Sequence, residues 1–342
     1  MNKQIIEAKN IIVINLLYLG DLIFSTPFLR NLRRNYPTAK IDLVVNANFS
    51  ELLANNPYVD NLYPYNKACS LKESLAFACQ LRKGQYDLGL NIHGSFRSNI
   101  LLTLINPAYR VGFANGFIKF TLNKRLRPLA NAHMVDVYLQ FLRDLGITDL
   151  DDEGLELRVS ESAQKQMDLF LEKNLVSPAT CLIGLNTGGT WRTKRWTIEG
   201  FAKLADELQL SYHCKVMFLG GSGDLPRVRK IVNLMKTTPL LATGRTNLPE
   251  LAALMKRCAL VISNDSGPVH VAAAVGTPTI TIFGPSDEIK YSPYGKDNLI
   301  VKSNVPCRPC GKHECPLKHH KCMINVNTDQ ILEKVGILLK RS

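Results

Sequence analysis

The sequence predicts an α/β protein made of two Rossmann-like β/α/β domains with a cleft between them. Apolar, β-branched runs alternate with helical segments along the chain, a pattern typical of parallel sheets covered by helices on both faces. Glycine and polar residues follow most of the predicted strands. With 342 residues, 46% of them hydrophobic, the chain is long enough to form two cores.

The first half opens with the apolar strand 11–17, which Gly20-Asp21 closes, and a helix over 22–36 that Pro37 stops. The same patterning predicts further strands at 41–46, 59–63 and 86–92. Helices are predicted near 49–55, at 71–83, from the His93-Gly94 turn through Ile105, and at 133–145.

The second half repeats this rhythm after a polar passage at 148–154. Its predicted strands are 181–186, 215–219, 260–263 and 278–283, and its helices are 198–210, 225–236, 248–257, 269–275 and 328–340. We therefore expect an N-terminal domain at 1–155, a linker and helix at 156–177, a C-terminal domain at 178–325 and a C-terminal helix at 326–342.

The net charge is strongly positive, at +13. No acidic residue occurs from 88 to 135, a segment that contains Arg97, Arg110, Lys119, Lys124, Arg125 and Arg127. Such a field attracts an anionic partner, which could be a phosphorylated glycan, an acidic membrane face or nucleic acid, although a merely basic surface would look the same. No run approaches the ~20 apolar residues needed to span a bilayer.

Asp21 is the first candidate for chemistry. A carboxylate just beyond the first strand, near a helix N-terminus, could accept a proton from an attacking hydroxyl. The same position also suits a helix N-cap, and the residues alone do not decide between the two. The loop has a single glycine, so it lacks the G-x-G-x-x-G motif of dinucleotide enzymes, and the chain has no Walker A motif.

Two loops of the second half could bind phosphate. In 187–196, glycines, threonines and three cations suit a diphosphate, whose leaving charge Lys194 could stabilise, although a basic surface turn is the plainer interpretation. In 263–270, small residues precede a helix whose free amides form an anion site, with His270 in its first turn. The turns 220–224 and 284–286 are weaker candidates that could frame a nucleoside, with Asp224 on the ribose.

Four of the nine cysteines form the pattern Cys307-x2-Cys310-x4-Cys315-x6-Cys322, with histidines in between. The ligand types and spacing resemble a structural zinc site. An ordered, thiol-rich loop that braces the domains is the alternative. No metal or cofactor is expected in the catalytic machinery itself.

With these motifs in view, the chain resembles glycosyltransferase family 9, the ADP-heptose:lipopolysaccharide heptosyltransferases. The resemblance runs almost end to end and is most specific around the strand–Asp-Ser-Gly-x-x-His segment. The cysteine-rich stretch is most similar to heptosyltransferase II members. The matching motifs are Gly20-Asp21, Thr190-x3-Lys194-x-Trp196, Asn264-Asp265-Ser266-Gly267-Pro268-x-His270 and Phe283-Gly284-Pro285.

The resemblance implies the two-domain GT-B fold, with an N-terminal acceptor domain, a C-terminal nucleotide-sugar domain and inversion of anomeric configuration. It implies that Asp21 is the general base, beside Gly20, and that Arg97 contacts the acceptor. Lys194 would contact the donor phosphates and Asp265 the heptose hydroxyls. The other implied donor contacts are Gly189, Thr190, Asp224, Thr246, Ser266, Gly267 and His270, among which the adenosine positions Asp224 and Thr246 align poorly.

The expected function is therefore transfer of heptose from ADP-heptose to a lipid A–Kdo or heptose inner-core acceptor. No nucleic-acid partner is expected. The expected location is the cytoplasm, with peripheral contact at the inner membrane. Three alternatives stay open: a GT-B glycosyltransferase that uses another nucleotide sugar such as a UDP-sugar, a basic nucleic-acid-binding protein, and a GT-B-like sugar-nucleotide epimerase.

Overall fold

The computed structural model describes residues 6–113 and 120–340 and divides into two compact units, Met1–Glu153 and Gly154–Ser342. Each unit contains one six-stranded sheet, and every pairing between its strands is parallel. Within these described ranges no helix is both long and apolar enough to cross a membrane.

In the first unit the sheet has the order β3-β2-β1-β4-β5-β6. Its strands are β1 Asn10–Asn15, β2 Lys40–Asn46, β3 Asn61–Tyr65, β4 Leu88–Asn91, β5 Tyr109–Phe113 and β6 Lys124–Leu126. Its helices are α1 Leu19–Phe24, α2 Thr26–Asn35, α3 Leu71–Arg82, α4 Phe96–Ile105 and α5 Met134–Asp144, with a 3-10 helix at Ala47–Leu53.

In the second unit the sheet has the order β12-β11-β10-β7-β8-β9. Its strands are β7 Leu182–Asn186, β8 Lys215–Leu219, β9 Leu240–Leu241, β10 Leu260–Asn264, β11 Thr279–Phe283 and β12 Asn298–Lys302. Its helices are α6 Glu161–Lys173, α7 Ile198–Leu210, α8 Leu225–Val232, α9 Leu248–Arg257, α10 Gly267–Ala274, α11 Glu288–Tyr291, α12 Lys321–Ile324 and α13 Thr328–Leu339, with 3-10 helices at Arg192–Lys194 and Ser222–Asp224.

Both sheets have the same topology. Counted from the first strand of each unit, each sheet has the order 3-2-1-4-5-6, the order of dinucleotide-binding α/β folds. The order reverses between the first and fourth strands, which are β1 and β4 in one unit and β7 and β10 in the other. Loops beyond the carboxyl ends of these four strands are therefore the expected ligand-binding positions.

The central strands are buried because both of their faces are covered by helices. Every residue of β7 and β10 is buried, and the same holds for β4. Trp196, Phe201 and Phe218 are the largest side chains of the second core, and Phe24, Phe28 and Phe141 are fully buried in the first unit. This continuous apolar burial fixes the strand ends from which the loops emerge.

The predicted helix over 22–36 is wrong in its extent. The chain forms α1, which begins at Leu19, and a separate α2, and the two meet at Ser25. Pro27 lies in the first turn of α2, where the missing N–H of proline is tolerated, and it cannot continue the hydrogen-bond ladder of α1. The prediction also omitted β5, β6, β9 and β12, which are short or weakly apolar.

The basic segment 88–135 does not present all of its cations to solvent. Arg110 donates to the carbonyl oxygens of Thr121 (2.7 Å) and Pro107 (3.1 Å), and Lys124 donates to the Asp144 carbonyl. These two cations hold the end of the sheet together. Lys119, which belongs to the same predicted segment, lies outside the described residues.

Candidate active site

The first candidate site is the loop beyond β1. Asn15 ends the strand and is buried; its Nδ2 donates to the Ser25 Oγ (3.1 Å) and its Oδ1 accepts from the Leu17 N–H (3.2 Å). Tyr18, in extended conformation, is the N-cap of α1. Asp21 lies two residues inside the helix, half-buried in the first turn, so the N-cap interpretation of Asp21 is wrong.

Lys67 is a functional candidate that the sequence prediction missed. It follows β3 by two residues, at the same sheet edge as Asp21, and its Nζ lies 4.9 Å from the centre of the Tyr18 ring. Arg97, which is exposed in the first turn of α4, donates to the Lys67 carbonyl. Burial lowers the pKa of Lys67, Arg97 lowers it further, and the attraction of Asp21 offsets part of that shift.

His93 lies beyond β4 at this edge. Burial lowers the pKa of His93 to about 4, with a further contribution from Lys67, so the imidazole is neutral at neutral pH. The edge therefore places the Asp21 carboxylate near Lys67, which in turn contacts Arg97. A carboxylate next to fixed positive charge can accept a proton while an anionic substrate is held in place.

The second candidate site lies beyond β7 and β10. Lys194 and Asp265 form an ion pair in which Nζ lies 2.7 Å from Oδ2, and the Asp265 side chain is only 3% exposed. Ser286, which follows β11, donates its hydroxyl to the same Oδ2. The Lys194 Nζ also lies 4.5 Å from the centre of the Trp191 ring.

Two buried asparagines fix the loops around this pair. The Asn264 Nδ2 donates to the carbonyl oxygens of Thr187 (2.9 Å) and Gly188 (3.0 Å), while its Oδ1 accepts from the Trp196 N–H (3.0 Å). The Asn186 Nδ2 donates to the hydroxyl of Ser266 (3.0 Å). Because both asparagines are nearly or fully buried, these bonds set the loop geometry with little freedom.

Trp196 anchors the Lys194 loop in the core. The indole is 1% exposed, its Nε1 donates to the Val326 carbonyl (2.9 Å), and its ring packs edge-on against Phe201. The loop is thus attached at both ends. Lys194 is positioned by the rigid core rather than by a mobile turn.

The predicted donor residues group around this pair. Ser266 is the N-cap of α10, Gly267 is its first residue, and His270 is buried in its second turn, so backbone N–H groups of the helix start face the loop edge. A Cβ on Gly188 would lie 2.6 Å from the Asp224 carboxylate, so the β7 and β8 loops meet there, and any side chain at 188 would displace that carboxylate. Gly189 accepts from the Arg195 Nε (2.8 Å), and Thr190 beside it is exposed.

Thr246 is the outlying member of the predicted set. It follows β9 and directly precedes Asn247, the N-cap of α9, at the same edge of the sheet. Two cations bond to the carbonyl oxygens of the β7 loop: Arg195 to Gly189 (2.8 Å) and Arg227 to Thr187 (3.1 Å). A cleft of about 860 Å³ opens beside them and is lined by Arg192, Arg195, Arg227, Lys230 and Lys318, among others.

Ion pairs attach the cysteine-rich segment to α11 and β12. Arg308 in this segment pairs with Glu288 (2.9 Å), which also pairs with Lys302 (2.5 Å). Burial alone would raise the pKa of Glu288. The hydrogen bonds from Lys302 and Arg308 and the charge of Arg308 outweigh this effect and lower the pKa to about 2.

Comparison with known proteins identifies the family. Residues 74–321 match glycosyltransferase family 9 (heptosyltransferase). The chain belongs to this family. It is 31% identical over 294 residues to lipopolysaccharide heptosyltransferase 3 of Escherichia coli, with 83% of this chain and 84% of that protein covered.

Solved structures agree with that assignment. A glycosyltransferase family 9 protein from Veillonella parvula superposes with a TM-score of 0.91 at 31% identity, covering 98% of both chains. E. coli ADP-heptose lipopolysaccharide heptosyltransferase II superposes with a TM-score of 0.80 at 25% identity, covering 97% of this chain and 99% of that one. The predicted α/β GT-B fold is confirmed, and the protein is a glycosyltransferase of the heptosyltransferase family.

Proposed function

We propose that this enzyme transfers heptose from ADP-heptose to the inner core of lipopolysaccharide, by a single displacement that inverts the anomeric configuration. The observation that carries the proposal is the Lys194–Asp265 pair. It places an ammonium suited to a diphosphate beside a carboxylate suited to sugar hydroxyls, at the N-terminus of a helix. The similar E. coli enzyme, named for ADP-heptose, supports this choice of donor.

In the proposed reaction, Asp21 removes the proton of an acceptor hydroxyl as its oxygen forms a bond to the anomeric carbon. The bond from that carbon to the diphosphate oxygen breaks, and ADP leaves with the electron pair. Lys194 and the N–H groups at the start of α10 stabilise the departing charge. Binding of phosphate by Lys194 would weaken its ion pair and free Asp265 to accept hydrogen bonds from the sugar.

The proposed donor contacts follow the loops of the second unit. Gly189 and Thr190 would contact the phosphates, together with Ser266, Gly267 and His270 around the start of α10. Asp224 and Thr246, beyond the next two strands, would hold the ribose and the base. The tight approach of the Asp224 carboxylate to Gly188 supports a shared pocket, because the two loops meet at this contact.

The acceptor would bind at the edge of the first unit. Lys67 and Arg97, with Gly20 at the start of α1, would hold the carboxylates or phosphates of the inner core near Asp21. The first turns of α3 and α4 also carry exposed apolar side chains at this edge, including Leu71 (92% exposed) and Phe96 (67% exposed). This mixture of basic and apolar groups supports peripheral contact with an anionic membrane on the cytoplasmic side.

Transfer from ADP-heptose to truncated core acceptors, with products resolved by mass, tests the function directly. A gain of one heptose is expected. Thermal-shift titration separates this from the alternative donor, because ADP should raise the unfolding temperature and UDP should not. Stabilisation by UDP with no heptose product would favour another nucleotide sugar.

A further inference from the structure

Four of the seven cysteines of the second unit line one small cavity. All nine cysteines of the chain are free thiols. A cavity of about 70 Å³ lies beneath the β11 loop. It is lined by the four cysteines of the C-x2-C-x4-C-x6-C pattern and by two histidines, namely Cys307, Cys310, Cys315, Cys322, His319 and His320. The transfer reaction uses none of these groups.

The backbone around the thiols forms two tight turns. Gly311 follows Cys310 with φ of +62°, and Lys318 and His320 also adopt left-handed φ values, of +54° and +49°. The second turn follows Cys315, and the Lys318 N–H donates to the Cys315 carbonyl (3.0 Å). Both turns lie in the segment whose four cysteines line the same cavity.

The two histidines are already engaged. The His320 Nε2 lies 2.7 Å from the Thr193 carbonyl, so this nitrogen must donate and cannot ligate a metal. The His319 Nδ1 accepts from the Lys321 N–H (3.0 Å). We take the four thiols as the ligand set, because each of the two histidines already uses a ring nitrogen in a hydrogen bond.

The charge around the cavity suits a tetrathiolate centre. Four thiolates around a divalent ion carry a net charge of about −2. Between Cys307 and Cys322 the chain has four lysine or arginine residues against the single acid Glu314, and the four are Arg308, Lys312, Lys318 and Lys321. These cations would offset the negative charge.

We propose that Cys307, Cys310, Cys315 and Cys322 bind one divalent transition-metal ion of the type that Zn²⁺ represents. Binding releases the four thiol protons, and the cation replaces them. Among the described residues no three potential ligands converge as they stand, so the thiols must rotate inward across the cavity to reach bonding distance. Four protein ligands leave no open position, which makes the site structural rather than catalytic.

The site would hold the Lys194 loop in place. Thr193, the neighbour of Lys194, donates its hydroxyl to the Lys312 carbonyl (2.9 Å) and its own carbonyl accepts from His320. The His313 ring stacks on Trp191 with centroids 3.8 Å apart. All three contacts come from residues between the second and fourth cysteines, so metal binding would fix the loop that carries the donor lysine. This consequence rests on the proposed function, whereas the metal site does not.

Metal analysis of the full-length protein, purified under reducing conditions without chelator, tests the site. After incubation with Zn²⁺ and gel filtration, we expect about one equivalent of zinc per chain. The Cys310→Ser/Cys315→Ser double variant should lose it. The Cys79→Ser variant, which changes an exposed thiol on α3, should retain it. Zinc well below one equivalent in the wild type, or equal zinc in the double variant, would overturn the site.

Cobalt replacement keeps the test decisive if the double variant does not fold. Wild-type protein stripped of metal and titrated with Co²⁺ should develop thiolate-to-cobalt charge-transfer absorption and the visible bands of tetrahedral cobalt. Absence of charge-transfer absorption would also overturn the site. Neither readout needs donor or acceptor, so a failure of heptose transfer leaves the result unaffected. Loss of ADP-induced stabilisation on metal removal would then link the site to the Lys194 loop.

Discussion

Replacing Lys194 by methionine leaves the Asp265 carboxylate buried without its cation. The pair is close, at 2.7 Å, and the two side chains are 17% and 3% exposed. Removing one partner of a fully buried ion pair costs roughly 3–5 kcal/mol. Because the lysine is partly exposed and Ser286 still donates to the carboxylate, we expect Lys194→Met to lower the free energy of unfolding by about 2–3 kcal/mol.

A double-mutant cycle isolates this effect. Asp265→Asn removes the buried charge, so the Lys194→Met/Asp265→Asn variant should lose less stability than the sum of the two single variants, with a coupling of about 2 kcal/mol. Both tryptophans of the chain, Trp191 and Trp196, lie in the second unit. Tryptophan fluorescence during urea unfolding therefore reports on this unit alone.

Additive losses of stability in the double variant would contradict this expectation. If the double variant loses the sum of the single losses within about 0.5 kcal/mol, the pair contributes nothing specific to the fold. Lys194 and Asp265 would then be held by the backbone of their loops, and the ion pair would be incidental.

Two further predictions concern charge. Lys67→Gln should raise the KM for the core acceptor and leave the KM for the donor unchanged, because Lys67 lies beside Asp21 in the first unit. Lys72→Gln on α3 is the matched control. Equal acceptor kinetics in the two variants would exclude Lys67 from the acceptor site. Glu288, with a folded pKa of about 2 against an ordinary value of 4.5, contributes stability that is present above pH 4.5 and is lost as the pH falls toward 2. Glu288→Gln should reduce this loss of stability at acid pH by about 2 kcal/mol, whereas Glu172→Gln, at an exposed position, should not. Urea unfolding at several pH values over the same range measures both.

The repeating pattern of strands and helices was predictable because buried parallel strands read as continuous apolar runs. The long central strands and α7, β8 and α9 were predicted at their observed bounds or within two residues of them. Edge strands were not predicted, because an edge strand lacks one neighbouring strand or has one uncovered face, and its residues are therefore less apolar. β12, Asn298–Lys302, is only partly buried, and β9 has two residues.

The residue types of the candidate site were also readable, but their pairing was not. Lys194 and Asp265 are far apart in the chain and meet because β7 lies next to β10, an adjacency that periodicity does not encode. Lys67 was missed because it follows β3, whose end was predicted two residues early. The sequence shows only a lysine after a strand. This lysine becomes a candidate for the site once the strand order is known to place it near Asp21.

The shape of α1 was another limit. A uniform apolar pattern from 22 to 36 concealed the break at Ser25, which depends on Pro27 in the first turn of α2 rather than on periodicity. The break matters for the site because α1 begins earlier than predicted. Asp21 consequently lies inside the first helical turn instead of capping it.

The rate of heptose transfer by Asp21→Asn, compared with the affinity of this variant for ADP, tests whether Asp21 is the general base. The substitution keeps size and shape but removes the proton acceptor, so transfer should fall by about 10²–10⁴-fold. ADP should bind with unchanged affinity, because the proposed donor contacts all belong to the second unit. Transfer within a few-fold of the wild-type rate would contradict the assignment of Asp21 as the general base.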